Sequence, residues 1–173
     1  MKITLGSLRN LIREALDGDR IVPERPWSVE VTFSLGGGVA EDSEGRGPDG
    51  FALVLKTPGV EMDVAVDSYW NPQSGDESGN SLKVSVDGTI LRGGETYVPV
   101  KFDDGKKQRL IVSSSPVSGL LSIAHAASPD SLPVVYLTVP SPFIDSHDED
   151  IDFEVRPLGN GDVDAEITDH VNL

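Results

Sequence analysis

The chain has 173 residues, no cysteine and a formal net charge of −15, from 29 acidic against 14 basic side chains. Its length suits one domain with a real hydrophobic core, and the lack of cysteine excludes a disulfide scaffold, a thiolate metal site and a cysteine nucleophile. The negative charge repels phosphate backbones, and no apolar run approaches the roughly 18 residues of a membrane-spanning helix, so we expect neither a nucleic-acid nor a membrane partner.

Residues 1–16 differ from the rest of the chain, because their apolar side chains recur at the spacing of one helical face. Ser7 is a plausible N-cap and Gly18 a stop signal, so the pattern predicts a short amphipathic helix. Residues 17–26 contain Pro23 and Pro26 and are predicted to form a linker arm. Because so short a helix is marginal alone, its apolar side chains are predicted to bind a partner: Leu8, Leu11, Ile12 and Leu16.

From residue 27 the period of apolar side chains changes to two. Trp27 to Leu35 alternates apolar and polar residues, as a half-buried strand does, and similar runs follow to the end of the chain. Asp87-Gly88 and Asp104-Gly105 are turn signals that predict two hairpins. We count about ten strands and no helical pattern after residue 16. The sequence therefore predicts an all-β domain over residues 27–173, an antiparallel β-sandwich or jelly roll.

No catalytic constellation stands out. Ser113, Ser114 and Ser115 precede a proline without the nucleophile elbow of a hydrolase. We interpret His125, His147 and His170 as surface or loop residues. The basic cluster Lys106, Lys107 and Arg109 lies beside acidic residues, which is typical of a solvated hairpin tip. The sequence therefore predicts that the protein is not an enzyme.

Two stretches could hold a ligand. An acidic run beside a late strand offers the hard oxygen ligands that Ca²⁺ prefers, although such runs are more often a solvated face. Its candidate metal ligands are Asp145, Asp148, Asp150 and Asp152. Tyr69 and Trp70 end a strand beside a polar loop and could form a rim on which sugars stack, although large aromatics more often pack in a core. Apart from the candidate Ca²⁺, no cofactor is predicted.

The first 16 residues, MKITLGSLRNLIREAL, resemble the leader found on many proteins of large tailed bacteriophages, especially T4-like ones. The residues that match are Met1, Lys2, Ile3, Thr4, Leu8, Arg9, Ile12, Arg13 and Glu14. Ile12-Arg13-Glu14 before Ala15 resembles the cleavage pattern of prohead proteases in these phages, which implies a candidate cleavage after Glu14. The resemblance also implies that the protein is directed to an assembling phage head.

Two hypotheses of function follow. The first is a non-enzymatic structural component of a phage-like particle, as a capsid decoration, neck or tail accessory protein tethered through its N-terminal helix and arm. Its partners would be other particle proteins or copies of itself, in the virion or in the host cytoplasm during assembly. The alternative is a β-sandwich module that binds calcium or carbohydrate, through the acidic run that ends at Asp152 or through the rim at Trp70.

Overall fold

The computed structural model describes residues 26–36, 50–68, 80–115, 118–143, 151–158 and 163–172. The predicted N-terminal helix, its partner-binding side chains, its candidate cleavage position and most of the arm lie outside these residues. The described residues form ten strands and no helix. The strands are β1 (Trp27–Leu35), β2 (Gly50–Thr57), β3 (Val60–Asp67), β4 (Ser81–Val86), β5 (Thr89–Tyr97), β6 (Gln108–Ser115), β7 (Leu120–Ala126), β8 (Val134–Pro140), β9 (Asp152–Leu158) and β10 (Val163–Asn172).

The ten strands form two five-stranded sheets. Sheet A has the order β10-β1-β6-β7-β8 and sheet B the order β5-β4-β3-β2-β9. All of the strand pairs are antiparallel. The predicted antiparallel β-sandwich of about ten strands is confirmed. A search of the described residues for a helix long and apolar enough to cross a membrane finds none.

The core lies between the sheets, and the alternation read in the sequence places it there. In β1, the five side chains from Trp27 to Leu35 at alternate positions are all buried, while the residues between them are half-exposed. Phe33 stacks at a tilt on Phe51 of β2, with the ring centroids 4.9 Å apart. Each large apolar side chain so buried contributes about 1.5–3 kcal/mol, so the two sheets are held by side-chain packing and need no disulfide.

One predicted hairpin is confirmed and the other is wrong. Asp87 and Gly88 both have positive φ, 48° and 77°, as the two-residue turn of the β4–β5 hairpin requires. At Asp104-Gly105 there is no hairpin, because β5 belongs to sheet B and β6 to sheet A. The segment between them crosses from one sheet to the other. It carries Phe102, which is fully buried and whose backbone N–H donates to Asn80 Oδ1 at 2.9 Å.

Two other interpretations are corrected here. Arg109 does not lie at a solvated hairpin tip but within β6, where its Nη1 donates to Glu30 Oε2 of β1 at 3.0 Å and its Nη2 to the Ser131 carbonyl at 2.9 Å. His125 is not a surface residue, because it is only 2% exposed and lies between the sheets beside Phe33 and Phe102. Both side chains hold parts of the chain that are distant in sequence.

Candidate functional site

The outer face of sheet B is unusual because β2, which lies between β3 and the edge strand β9, is buried on both sides. Phe51, Leu53 and Leu55 of β2 belong to the core, but Ala52 and Val54, which alternate with them, are also only 3% and 0% exposed. Val54 lies between Asp63 of β3 and Glu154 of β9 in the sheet register. Small or branched apolar side chains therefore form a floor on this face, and longer charged side chains from the neighbouring strands stand around it.

Five of these charged residues form one network, which we call the charged cluster: Lys56, Glu61, Asp63, Glu154 and Arg156. Lys56 Nζ lies 3.2 Å from Glu61 Oε2 and 3.1 Å from Glu154 Oε2. Arg156 Nη1 lies 3.2 Å from Glu61 Oε1 and 3.9 Å from Asp63 Oδ1. Three carboxylates share two cations, so the cluster keeps one negative charge that its own members do not balance.

The environment moves the pKa values of the charged cluster in opposite directions. The hydrogen bond from Lys56, supported by Arg156, lowers the pKa of the Glu61 carboxyl, and the bonds to Glu154 and Glu61 raise the pKa of Lys56. Burial raises the pKa of the Asp63 carboxyl, against the opposing charge of Arg156. Glu61 is therefore fully ionised and paired, whereas Asp63 is the carboxyl in the cluster that is poorly compensated.

Asp63 also carries an acceptor without a donor. Its Oδ1 is buried, and among the described residues it accepts no hydrogen bond. Leaving a buried acceptor unsatisfied typically costs about 1–3 kcal/mol. Because this oxygen is covered, a ligand hydroxyl supplies the missing donor only when the side chains over it move aside. The cluster can therefore offer both carboxylate acceptors and cationic donors to a polar neutral ligand.

A second group of polar residues lies across the floor towards the end of sheet B that contains Gly50. Lys83 Nζ of β4 lies 2.8 Å from Asp67 Oδ2 of β3 and 3.7 Å from Glu95 Oε1 of β5. Tyr97, at the end of β5, is aligned with Ser81 and, through it, with Asp67, and its side chain is 38% exposed. An exposed aromatic thus stands in the same cross-strand row as a carboxylate.

Of the residues predicted for the two ligand sites, Asp152 is the one that lies within the described residues. Asp152 begins β9, pairs in register with Lys56 and is exposed, so it lies at the end of sheet B opposite Gly50 and Asp67. Tyr69 and Trp70 follow Asp67 in the chain and lie outside the described residues, as do Asp145, Asp148 and Asp150. Within the described ranges, no group of three or more acidic or histidine side chains could hold a metal ion.

Sequence reasoning missed the charged cluster. The alternation of Glu61 and Asp63 with apolar residues in β3 marked them as one solvated face, which is the usual meaning of such a pattern. Their partner Arg156 is 95 residues further along the chain from Glu61, and no local signal joins the two. The burial of Val54 beneath them did have a local signal, because residues 51–55 are a continuous apolar run, which is typical of a strand buried on both faces.

No family model matches the chain, and the search of curated proteins finds no match. Solved structures do match. Peanut lectin with a nine-residue peptide is 14% identical, over 83% of this chain and 68% of that one, with a TM-score of 0.58. Lectin I from Ulex europaeus, in complex with the methyl glycoside of α-L-fucose, is 10% identical, over 84% of this chain and 70% of that one, with a TM-score of 0.61. The lectin from Bauhinia forficata in complex with GalNAc is 14% identical, over 83% of this chain and 70% of that one, with a TM-score of 0.57.

These matches correct the first functional hypothesis. The structures that share this architecture are lectins, so the interpretation as a structural component of a phage-like particle, with its capsid, neck or tail role, is wrong, and the ligand-binding alternative is favoured. The phage-like leader motif itself falls on residues 1–16, outside the described ranges. The described part of the chain is a β-sandwich with the fold of the legume lectins.

Proposed function

We propose that this chain is a carbohydrate-binding module without enzymatic activity. The observation that carries the proposal is the likeness of its fold to lectins solved with sugars, which extends over more than four-fifths of the chain. At these identities the likeness concerns the fold, so the sugar site must be argued from this chain's own residues. The absence of a recognisable catalytic motif supports a binding role over a hydrolytic one.

The outer face of sheet B is the surface that we assign to the sugar. Sugar hydroxyls donate to carboxylates and accept from ammonium and guanidinium groups, and both kinds of group surround the apolar floor at Val54. Asp63 Oδ1 is an acceptor that still lacks a donor. The exposed ring of Tyr97 lies two strands across from Asp63 and four residues further along the sheet, so it offers an aromatic face to a further unit of a larger glycan, whose C–H side packs on it. This combination of an apolar floor with a few convergent polar groups is typical of small-ligand sites.

Glycan arrays followed by calorimetry with methyl fucosides, methyl galactosides and N-acetylgalactosamine test this proposal. We expect saturable binding that weakens about tenfold in Asp63→Asn, which keeps the shape of the side chain but removes its charge. For glycans long enough to reach Tyr97, Tyr97→Ala should weaken binding about two- to tenfold, because an aromatic contact contributes about 0.5–1.5 kcal/mol. Val134→Ala is the matched control, since Val134 is a 54% exposed side chain of sheet A. No binding to any glycan, or equal losses in the control, would overturn the proposal.

Calcium is proposed as a cofactor only on the sequence pattern that ends at Asp152. If the acidic run binds Ca²⁺, a concentration of about 100 times the dissociation constant should stabilise the folded protein by about 2.7 kcal/mol. Thermal melting with and without millimolar Ca²⁺ measures this shift. We expect Asp150→Asn together with Asp152→Asn to remove it, while Glu166→Gln, at an exposed acidic position of β10, should leave it intact. An unchanged melting temperature in Ca²⁺ would show that the acidic run does not bind this ion.

A further inference from the structure

Exposed apolar side chains are concentrated at one corner of the sandwich. Among the described residues, six large apolar side chains are at least 38% exposed, and three of them lie within residues 132–135. Leu132 is 88% exposed, Val134 54% and Val135 57%, and Pro133 between them is exposed as well. We call these four consecutive residues the apolar patch. A run of exposed aliphatic side chains is typical of an interaction site, because leaving it in water is unfavourable.

The apolar patch leads into β8, which is an edge strand of sheet A. The two sheets have four edge strands in the described part of the chain, and three of them, β5, β9 and β10, carry charged side chains. By contrast, β8 carries none. Charged side chains are a common device by which an edge strand avoids contact with other segments, so the edge at β8 lacks a protection that the other three edges have.

The apolar patch is held in place by the turn that precedes it. The backbone N–H of Ser131 donates to the Ser128 carbonyl at 3.2 Å, and the Ser131 carbonyl accepts from Arg109 Nη2 at 2.9 Å. Arg109 lies on the outer face of sheet A, because its neighbours in β6, Gln108 and Leu110, are fully buried. The turn is therefore fixed over that face, and the patch that follows it loses little conformational freedom when another segment packs on it.

We propose that the apolar patch binds the N-terminal segment of the same chain. Residues 1–16 lie outside the described residues, and their sequence predicts an apolar stripe that needs a surface to pack on, formed by Leu8, Leu11, Ile12 and Leu16. The segment holds three basic residues and one acidic residue, a net charge of +2, whereas the other 157 residues hold 11 basic and 28 acidic ones, a net charge of −17. Opposite charges attract the segment to the body of the protein, and the uncharged patch can cover the stripe without burying a charge.

The length of the arm permits this contact within one molecule. In the register of sheet A, Val135 of β8 lies in the same row as Glu30 of β1, three strand spacings away. Val135 is therefore three strands across and three residues along from Trp27, a distance of about 18 Å. The ten residues 17–26 can span up to about 33–36 Å, so the segment reaches the apolar patch with chain to spare.

A covalent tether also removes the need for a large interface. An arm of this length holds the segment at an effective concentration on the order of millimolar, so a contact of a few aliphatic side chains is enough. Separate molecules would need to bury about 800 Å² each for a stable complex, and the segment of a second copy lacks the advantage of the tether. The proposal concerns sheet A and does not rest on the sugar site assigned to sheet B.

Disulfide cross-linking of the full-length chain tests this contact, because the natural chain has no cysteine and each introduced pair is unambiguous. Val135→Cys is combined with Leu11→Cys in one variant and with Ile12→Cys in another. Under mild oxidation we expect at least one pair to close within the monomer, at least about tenfold faster than Ile12→Cys with Ile167→Cys, because docking raises the effective concentration of the two thiols above that of the tether alone. Ile167 is the matched control, since it is a 39% exposed aliphatic side chain on β10, beside β1, and lies nearer to the arm than Val135 does.

Charging the stripe provides the second arm of the test. Adding Leu8→Asp and Leu16→Asp to the faster pair should reduce its rate to that of the control, because burying a carboxylate against aliphatic side chains is unfavourable. Leu132→Cys replaces Val135→Cys if the latter does not fold. Mass spectrometry of the separated monomer identifies the linked peptides. Rates no faster than that of the Ile167 control, a rate that the charged stripe leaves unchanged, or disulfides that form only between molecules would each overturn the proposal.

Discussion

Replacing Gly50 with alanine is expected to destabilise the protein by about 3–5 kcal/mol, a large part of the 5–15 kcal/mol that a typical domain has. Gly50 begins β2 with a φ of +119°, a backbone conformation that costs other residues about 1–3 kcal/mol. A Cβ added there would lie 1.8 Å from the carbonyl oxygen of Val66. Since that oxygen belongs to the paired strand β3, relief of this clash requires β2 and β3 to separate.

Urea unfolding followed by tryptophan fluorescence and circular dichroism measures the loss as a shift in midpoint at constant slope. Gly59→Ala is the matched control, because Gly59 lies in the turn between β2 and β3, where an added Cβ meets no atom within 4 Å. We expect its free energy of unfolding to stay within about 0.5 kcal/mol of wild type. If the two variants are equally stable, the close approach of Gly50 to the Val66 carbonyl does not constrain β2, and the prediction is wrong.

Local sequence pattern accounts for the strands but not for which strands share a sheet. Alternation predicted the buried face of β1 from Trp27 to Leu35, and Asp87-Gly88 predicted the β4–β5 hairpin, because both signals operate within a few residues. Asp104-Gly105 gave a similar local signal, yet there the chain crosses between sheets. The difference depends on Phe102 reaching the core and on Asn80, 22 residues earlier, accepting its N–H. Such long-range contacts leave no trace in local periodicity.

The candidate site was predictable only in its chemistry. The sequence suggested carboxylates and an aromatic as sugar or calcium ligands, and carboxylates and an exposed aromatic do stand on sheet B. Asp63 and Tyr97 are residues that the sequence analysis did not single out, whereas Asp145 and Trp70 lie outside the described residues and stay predictions. Arg156 meets Glu61 across 95 positions of sequence, so only the pairing of β9 with β2 and of β2 with β3 brings the charged cluster together. Similarly, nothing distinguished Gly50 from the other glycines between residues 36 and 50.

The buried pair of His125 and Gln108 is expected to make the protein sensitive to mild acid. His125 Nε2 and Gln108 Oε1 are 2.7 Å apart, and Gln108 Nε2 lies 2.9 Å and 3.2 Å from the carbonyl oxygens of Lys101 and Phe102. Turning the amide over would set its oxygen against both carbonyls. The amide oxygen must therefore accept from the imidazole, so that His125 is neutral with its proton on Nε2.

Burial lowers the pKa of His125 from 6.5 to about 4, because the cationic form would lose its hydration between the sheets. The unfolded chain takes up a proton near pH 6.5, whereas the folded protein does so only near pH 4. Stability from this group is thus complete above pH 6.5 and falls as the pH decreases towards 4. The 2.5-unit difference corresponds to about 3 kcal/mol, so urea midpoints should decrease steadily across this window.

The His125→Gln variant separates this effect from the titration of other groups. Its amide can still donate towards Gln108 but does not ionise, so we expect lower stability at pH 7 and a much flatter dependence between pH 6.5 and 4. A chain with His147→Gln and His170→Gln retains His125 as its one imidazole and should keep the wild-type slope. If stability no longer depends on pH in that double variant but still does in His125→Gln, the acid sensitivity arises from other groups and the prediction is wrong.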